Sequence, residues 1–352
     1  MPDEFWFQHL NFGKKEFPFS IRLELTHQCN FSCFYCFIKN AEKKVKELTF
    51  KEWRWILDKI YAKGGLYLTF TGGEPFTRED FLRIYSCAKK KGFLITLFTN
   101  GSLLDEKTLD FLARYPPYLI EITLNAITES TFDKITRTKG NFNKVLKAIE
   151  GCVKRKLPLI IKSNLMKENK DEIPKIKHFA DMILPHAKHT HCFRYDLLLL
   201  PGLDGNPAPL RHRLAPDELI EVIKKDKDMR REYIQDCKRL AKVKARPSPF
   251  LYRCESYRCS FTIDPWGRLK FCPLSDKFSV DLFEVGAKED FSKLIPDISK
   301  IKFKTDSPCI RCSLRVFCHT CPSRAFLEEG WEESPVEYYC ALAKKAAQEC
   351  KS

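Results

Sequence analysis

Residues 21–37, IRLELTHQCNFSCFYCF, set a strand-like run directly against a group of cysteines. The first six residues, IRLELT, form a short apolar run of the strand type. Cys29, Cys33 and Cys36 follow in the pattern Cys-x3-Cys-x2-Cys, with aromatic residues between them. Similar runs recur at 66–71 (LYLTFT), 94–99 (LITLFT), 119–124 (LIEITL), 158–164 (PLIIKSN) and 192–200 (CFRYDLLLL). Helix-like stretches such as FKEWRWILDKIYAK (50–63) and REDFLRIYSCAKKK (78–91) separate them. This alternation reads as βα units around a parallel sheet, an α/β fold. Six such strands form an incomplete barrel open on one side, whose active residues belong at the C-terminal strand ends. The cysteine triplet lies at such an end.

A chain of 352 residues, 44% of them hydrophobic, suggests two domains with a sizeable core. The start, MPDEFWFQHLNFGKK, lacks the basic and apolar regions of a signal peptide. No apolar run approaches the length of a membrane span, so no membrane partner is expected and a soluble cytoplasmic protein is the default. Sixteen cysteines are many for that compartment, where clustered thiols hold metals more often than they form disulfides. Three lie at 29–36 and eight between Cys254 and Cys340. Cys87, Cys152, Cys192, Cys237 and Cys350 are scattered and read as small buried hydrophobes. The formal net charge of +15 favours an acidic partner, although a lysine-rich solvated surface is the commoner cause of such a charge.

The strand pattern ends at PGLDGNPAPLRHRLAP (201–216), a loop by its Pro and Gly content. A charged, helix-like segment continues to about Arg246. Residues 211–258 hold fourteen Lys/Arg against eight Asp/Glu, either a solvated face or a docking surface. The expected divisions are an N-terminal segment (1–19), a barrel (20–200), a bridging loop and helix (201–246) and a cysteine-rich part (247–352). The last has little apolar periodicity, so its folding is expected to depend on bound metal.

A structural zinc site uses four ligands. Three thiolates suit a four-iron cluster with one iron left open. Incidental loop cysteines, or zinc completed by His27, are the alternatives that spacing leaves standing. The pattern Cys-x3-Cys-x-aromatic-Cys after the first strand, with Tyr35 as the aromatic residue, resembles the signature of radical S-adenosylmethionine (radical SAM) enzymes. The resemblance covers roughly residues 18–200 and implies a partial (β/α)6 TIM-type barrel. It also implies that Cys29, Cys33 and Cys36 hold a [4Fe–4S] cluster whose open iron binds S-adenosylmethionine. TFTGGEPF, ending the second strand, matches the family's GGE motif at Gly72, Gly73 and Glu74. There a glycine backbone is expected to approach the ligand, and the carboxylate to accept hydrogen bonds from the methionine ammonium. In EITLNAITESTFDKITR (121–137), Thr123 and Asn125 stand where relatives carry Ser-x-Asp toward the ribose. Asn125 keeps the acceptor and loses the charge. Arg137 stands where relatives place an arginine near the cofactor carboxylate. Ser163 and Asn164, ending the fifth strand, are further cofactor candidates. Tyr195 and Asp196 are candidates to face substrate, and His189 and His191 read as surface residues.

The second group comprises Cys254, Cys259, Cys272, Cys309, Cys312, Cys318, Cys321 and Cys340. Alone, Cys-x2-Cys-x5-Cys-x2-Cys is compatible with a zinc knuckle, though its central loop is short. The whole set resembles the SPASM domain of peptide-modifying radical SAM enzymes, a small cysteine-rich iron–sulfur domain. Two residues instead of three separate Cys318 from Cys321, a departure from that pattern. The resemblance implies one cluster on Cys254, Cys259, Cys272 and Cys321 and another on Cys309, Cys312, Cys318 and Cys340, three clusters in all. FTIDPWGRLKFC (261–272) reads as a hairpin with DPWG as its turn.

Together these features imply an oxidative radical enzyme. It would reductively cleave S-adenosylmethionine to a 5′-deoxyadenosyl radical and modify a peptide or protein, for example by crosslinking. The auxiliary clusters would carry electrons, and a flavodoxin or ferredoxin would supply them. Many such relatives begin with a precursor-recognition domain; about twenty residues precede the first strand here, so that domain is expected to be separate or unnecessary. A sulfatase-type maturase would carry Asp where Pro273 stands, although Asp276 is close. An RNA-modifying enzyme would use the positive charge, but no nucleic-acid recognition module is visible. A non-enzymatic iron–sulfur or zinc scaffold would have no need of Gly72, Gly73 and Glu74.

Overall fold

The computed structural model describes residues 20–38, 46–184, 192–254, 260–285 and 294–350. Segment 1–19, Cys259, His189 and His191 lie outside them. The order of elements through the barrel is β1 (Ser20–Thr26), α1 (Phe50–Ala62), β2 (Tyr67–Gly72), α2 (Phe81–Lys90), β3 (Leu94–Thr99), α3 (Glu106–Arg114), β4 (Leu119–Thr123), α4 (Glu129–Thr136), α5 (Phe142–Lys154), β5 (Leu159–Asn164), α6 (Ile173–Ile183) and β6 (Phe193–Asp196). The charged segment expected as one helix is two, α7 (Pro216–Lys225) and α8 (Lys227–Ala241). The break is at Asp226, whose carboxylate caps α8 by accepting from Asp228 N and Met229 N and also holds Lys177 at 3.0 Å. The C-terminal part contributes β7 (Ser260–Ile263), β8 (Arg268–Lys270), β9 (Val280–Asp281), α9 (Pro322–Glu329) and α10 (Glu337–Glu349).

The strands form one sheet in the order β6-β5-β4-β3-β2-β1-β7-β8-β9. All pairings from β6 to β7 are parallel, and β8 and β9 are antiparallel additions. The six strands read from the sequence are therefore joined by a seventh parallel strand, supplied from the cysteine-rich part and paired with β1. The hairpin expected at 261–272 is β7–β8. Its turn is tied by the Asp264 carboxylate, which accepts from Trp266 N and Arg268 N at 3.0 Å, and Gly267 takes the positive φ of 89° that the turn requires.

Period-two patterning separates the two faces of the sheet. Ile21, Leu23 and Leu25 of β1 are at most 2% exposed and face the helices, as do Leu68, Phe70, Ile95 and Leu97. The helices answer at helical spacing, with Trp53, Ile56, Leu57 and Ile60 on α1 and Phe81, Ile84, Tyr85 and Ala88 on α2. Each large apolar side chain so buried contributes roughly 1.5–3 kcal/mol. Thr49 and Glu52 form a reciprocal capping box that starts α1 where the loop from the cysteines ends. Arg213 fastens the barrel to the C-terminal part. Its guanidinium makes paired bonds of 2.8 and 2.9 Å to Glu328 on α9 and lies 4.3 Å from the Tyr338 ring centre on α10. No helix among the described residues is long and apolar enough to cross a membrane.

Candidate active site

The C-terminal ends of β1 and β2 are laced together below the cysteine loop. Gly73 N donates to Thr26 O (2.7 Å) and Glu74 N to Gln28 O (2.8 Å). Gly72 has φ 130°, and a Cβ there would lie 2.1 Å from Thr26 O. A Cβ on Gly73 would lie 2.1 Å from Gln28 O. The steric demand for the glycine pair thus comes from the backbone leading into Cys29. The loop is anchored on its other side to α4, where Ser32 N donates to Thr136 O and Phe34 N to Ile135 O. Phe31 is buried edge-on to Phe132, and Phe34 stacks 3.8 Å from the His212 ring. Cys29 is exposed, while Cys33 and Cys36 are half-buried; all three are free thiols.

These thiols are suited to a metal and not to existing as bare thiolates. Although Cys29 as a residue is exposed, the protein around its sulfur removes enough water to push it up to about 11, and the negative charge of Glu74 and Cys36 adds to this. Cys33 is raised further, again first by burial and then by Cys36 and Cys29. Protons would hold the Cys29 and Cys33 sulfurs until a positive iron core displaced them. Phe31 N and Asn100 Nδ2 already point at Cys29 Sγ, at 3.4 and 3.8 Å. Soft, mutually repelling thiolates with amide donors around them fit an iron–sulfur group.

Glu74 is fully buried. Its carboxylate accepts from Thr99 Oγ1 (2.9 Å), Asn100 N (2.7 Å) and Phe76 N (3.1 Å). Burial outweighs these bonds and pushes its pKa up to about 7. Glu74 therefore ties the end of β2 to the end of β3, and Asn100 carries the tie onward to Asn30 Oδ1 at 2.9 Å. Thr99 and Asn100 were not singled out in the sequence. The signal was present, since TNGS follows the third strand run as TGGE follows the second.

Asn125 makes the corresponding junction opposite. Its Nδ2 donates to Tyr35 Oη (2.6 Å) and its Oδ1 accepts from Asn164 N (2.7 Å). Ser163 is fully buried, with its hydroxyl donating to Leu124 O. Asn169, a second buried asparagine that sequence reading missed, donates to Asn125 O and Asn164 O at 2.8 and 2.9 Å. Arg137 caps α4 in the left-handed region (φ 52°), an uncommon conformation for a non-glycine residue, with its guanidinium 5.8 Å from the Phe34 ring centre. The structure therefore gathers Tyr35, Glu74, Asn125, Arg137 and Asn164 around the cysteine loop. Thr123 lies in register with Lys162 at the inner face of the barrel. Tyr195 and Asp196 part company. Asp196 turns inward to Lys162 (2.7 Å), whereas Tyr195 faces the acidic residues of α8.

The C-terminal thiols fall into two neighbourhoods. Cys272 is raised to about 11, first by burial and also by nearby Cys321 and Cys254. Cys318 is raised by burial and by Cys340 and Cys309, and Cys340 by burial and by Cys309 and Cys312. Two arginines, the exposed Arg253 and the buried Arg315, adjoin the second neighbourhood. Arg253 donates to Arg315 O (3.1 Å), and Arg315 donates to Phe250 O (2.9 Å). Among the described residues, no three His, Cys, Asp or Glu side chains close on a single-ion position.

Residues 23–180 match the family model described as the Radical SAM superfamily. The PqqA peptide cyclase of Gluconobacter oxydans is 31% identical over 195 residues, 53% of this chain and 54% of that protein. The chain spans about half the length of the curated relatives it matches. Among solved structures, native anSMEcpe with bound AdoMet superposes with a TM-score of 0.68 at 18% identity, covering 95% of this chain and 97% of that one. Streptococcus suis SuiB bound to precursor peptide SuiA superposes with a TM-score of 0.65 at 16% identity, covering 90% and 74% of the two chains. The fold likeness thus extends past the barrel into the cysteine-rich part.

Proposed function

We propose that this chain is a radical SAM, peptide-modifying enzyme that cleaves S-adenosylmethionine reductively and oxidises its substrate, a reading supported by the match of residues 23–180 to the Radical SAM superfamily model. One observation carries the reading. Three free thiols sit on a loop pinned between the ends of β1, β2 and α4, at the active end of an open barrel. Bound there, a [4Fe–4S] cluster supplies the electron and S-adenosylmethionine the radical chemistry. Cys29, Cys33 and Cys36 would hold the cluster, with Phe31 N and Asn100 Nδ2 stabilising charge on Cys29 Sγ. Gly72, Gly73 and Glu74 hold that loop against β2 and β3. Tyr35, Thr123, Asn125, Arg137, Ser163 and Asn164 are assigned to the cofactor side of the site, either by facing it or by fixing its walls. Phe31 and Phe34, buried against Phe132 and His212, wall the loop on its inner side.

The two C-terminal neighbourhoods are assigned to auxiliary clusters, Cys254, Cys259, Cys272 and Cys321 on one and Cys309, Cys312, Cys318 and Cys340 on the other. Support comes from the nearness of Cys321 and Cys254 to Cys272, whose thiol they raise, and of Cys309 to Cys318 and of Cys309 and Cys312 to Cys340. A cluster spreads its thiolates more widely than one zinc ion does. A peptide substrate is supported by the relative named a peptide cyclase and by the neighbour that binds a precursor peptide. An acidic peptide suits the basic balance of the chain. A flavodoxin or ferredoxin is the proposed electron donor, and free thiols throughout the described residues suit the cytoplasm. Asp276 is a poor base for a sulfatase-type reaction. Burial alone would raise its carboxyl, but the Lys270 ammonium at 3.0 Å holds it below its ordinary value.

The test is anaerobic reconstitution with a strong reductant. Wild-type protein should form 5′-deoxyadenosine and methionine and bind about twelve irons, whereas the triple variant Cys29→Ala/Cys33→Ala/Cys36→Ala should form neither product and retain about eight. Equal turnover in the triple variant overturns the assignment, and stoichiometric zinc with about four irons overturns the auxiliary clusters.

A further inference from the structure

Five cysteines lie outside the two groups assigned to clusters. Three of them have separate surroundings. Cys152 is fully buried in the core, Cys192 donates to Asp181 Oδ1 at 2.8 Å, and Cys87 lines an outer groove between α1, α2 and α3. The remaining two, Cys237 and Cys350, are more than a hundred residues apart in sequence and meet in the fold.

The local patterns bring them together. Tyr233, Cys237 and Leu240 recur at helical spacing on one face of α8. The run CALAKKAAQEC (340–350) answers from α10 with Ala343, Ala346 and Ala347. Side chains this small let two helices approach closely, and with Phe317 they form a small core beside that of the barrel. One atom fixes the meeting point. Ala346 O accepts from the Cys237 thiol at 3.7 Å and from Cys350 N at 3.2 Å, so both cysteines converge on the same carbonyl. Burial first, and then the adjoining Cys350 thiol, push Cys237 up to about 12. The two sulfurs differ in access. Cys237 is 3% exposed, whereas Cys350, at the C-terminal cap of α10, is only half-buried. One sulfur that a reagent reaches, with a second behind it to resolve the product, makes a redox-active pair.

We infer that Cys237 and Cys350 are a dithiol site that a small-molecule disulfide such as oxidised glutathione converts to a cystine bridging α8 and α10. The first exchange takes place at Cys350. Its sulfur bonds to one sulfur of the reagent, the reagent's S–S bond breaks, and one small thiol leaves with the Cys350 proton. The second takes place inside the fold. The Cys237 sulfur displaces the other small thiol, which leaves with the Cys237 proton, and the Cys237–Cys350 bond forms. Two protein thiols are oxidised and one reagent disulfide is reduced to two thiols. Cys237 gives up its proton reluctantly, but the first exchange removes the Cys350 charge that helps to hold it, and the two sulfurs already adjoin. The bridge fastens the end of α10 to α8. The ion pairs that tie this helix to α7, Lys224–Glu349 at 2.6 Å and Lys345–Asp217, face solvent and are individually weak. The site stands independently of the cluster assignments, although α10 also carries Cys340.

The experiment incubates anaerobic, reconstituted holoenzyme with oxidised glutathione, quenches with iodoacetamide and maps the peptides by mass spectrometry. The peptides containing Cys237 and Cys350 should become linked, with a loss of about 2 Da relative to the two thiols, and dithiothreitol should restore both. Cys237→Ala should stop at a glutathione mixed disulfide on Cys350, and Cys350→Ser should leave Cys237 unmodified. Amide hydrogen exchange over 337–350 should slow in oxidised wild type and not in oxidised Cys237→Ala. A glutathione adduct that persists on Cys350 in wild type, linkage of Cys237 to a different cysteine, no reaction at either residue, or unchanged exchange over α10 in the linked protein overturns the proposal.

Discussion

Gly73→Ala should damage both the fold and the first cysteine site. The new Cβ would lie 2.1 Å from Gln28 O, 2.6 Å from Gln28 C and 2.9 Å from His27 O. All three are backbone atoms, so no flexible side chain can yield, and the strand ends must part by about 1 Å to restore an ordinary contact. Overpacking of this kind costs about 1–3 kcal/mol. The shift also breaks Gly73 N to Thr26 O and Glu74 N to Gln28 O, at about 1 kcal/mol each. The total is about 3–5 kcal/mol, and the displaced residue, Gln28, adjoins Cys29. Urea unfolding followed by circular dichroism measures the first effect, and iron analysis after anaerobic reconstitution the second. About four irons should be lost, with the C-terminal sets retained. Gly64→Ala is the control, since Gly64 has φ 82° with nothing within 4 Å of its would-be Cβ. It should cost only the left-handed backbone penalty of roughly 1–2 kcal/mol and no iron. A Gly73→Ala protein within about 1 kcal/mol of wild type and full in iron would refute the reasoning.

Glu74 sets a pH dependence in the metal-free protein. Its carboxyl is raised from 4.5 to about 7 in the fold, so the native state holds a proton that the unfolded state has released. Stability should fall as pH rises from about 4.5 to 7, by about 1.4 kcal/mol per pH unit, and Glu74→Gln should flatten that slope in urea midpoints. Arg213→Ala should cost about 3–5 kcal/mol, because it strands the buried Glu328 carboxylate, and adding Glu328→Leu should recover part of the loss. Arg230 and Arg231 lie exposed on α8, with Arg231 paired to Asp228 at 3.1 Å. If an acidic substrate docks there, reversing both to Glu raises KM more than it lowers kcat, and the effect shrinks with salt; an unchanged KM returns the helix to a solvated surface.

What the sequence determined by itself was local. The spacing of Cys29, Cys33 and Cys36, the TGGE strand end and the alternation of strand and helix patterns were sufficient for the parallel sheet and the radical SAM resemblance. Short-range spacing dictates both metal ligation and strand period. The sequence singled out Asp196, but only the pairing of β4, β5 and β6 shows that Lys162 and Arg194 meet Glu121 and Asp196. Tertiary structure alone decided that Gly72 and Gly73 make room for the backbone of β1, that Glu74 is engaged by Thr99 and Asn100, and that Asn125 bridges Tyr35 to Asn164. It also brought β7 from the far end of the chain to the edge of β1, and set Cys340 beside Cys309 while Cys321 sits by Cys272. These contacts join residues separated by tens to hundreds of positions. Their partners are chosen by parallel register and by the satisfaction of buried polar groups, which depend on the whole fold and leave no periodic trace in any one segment.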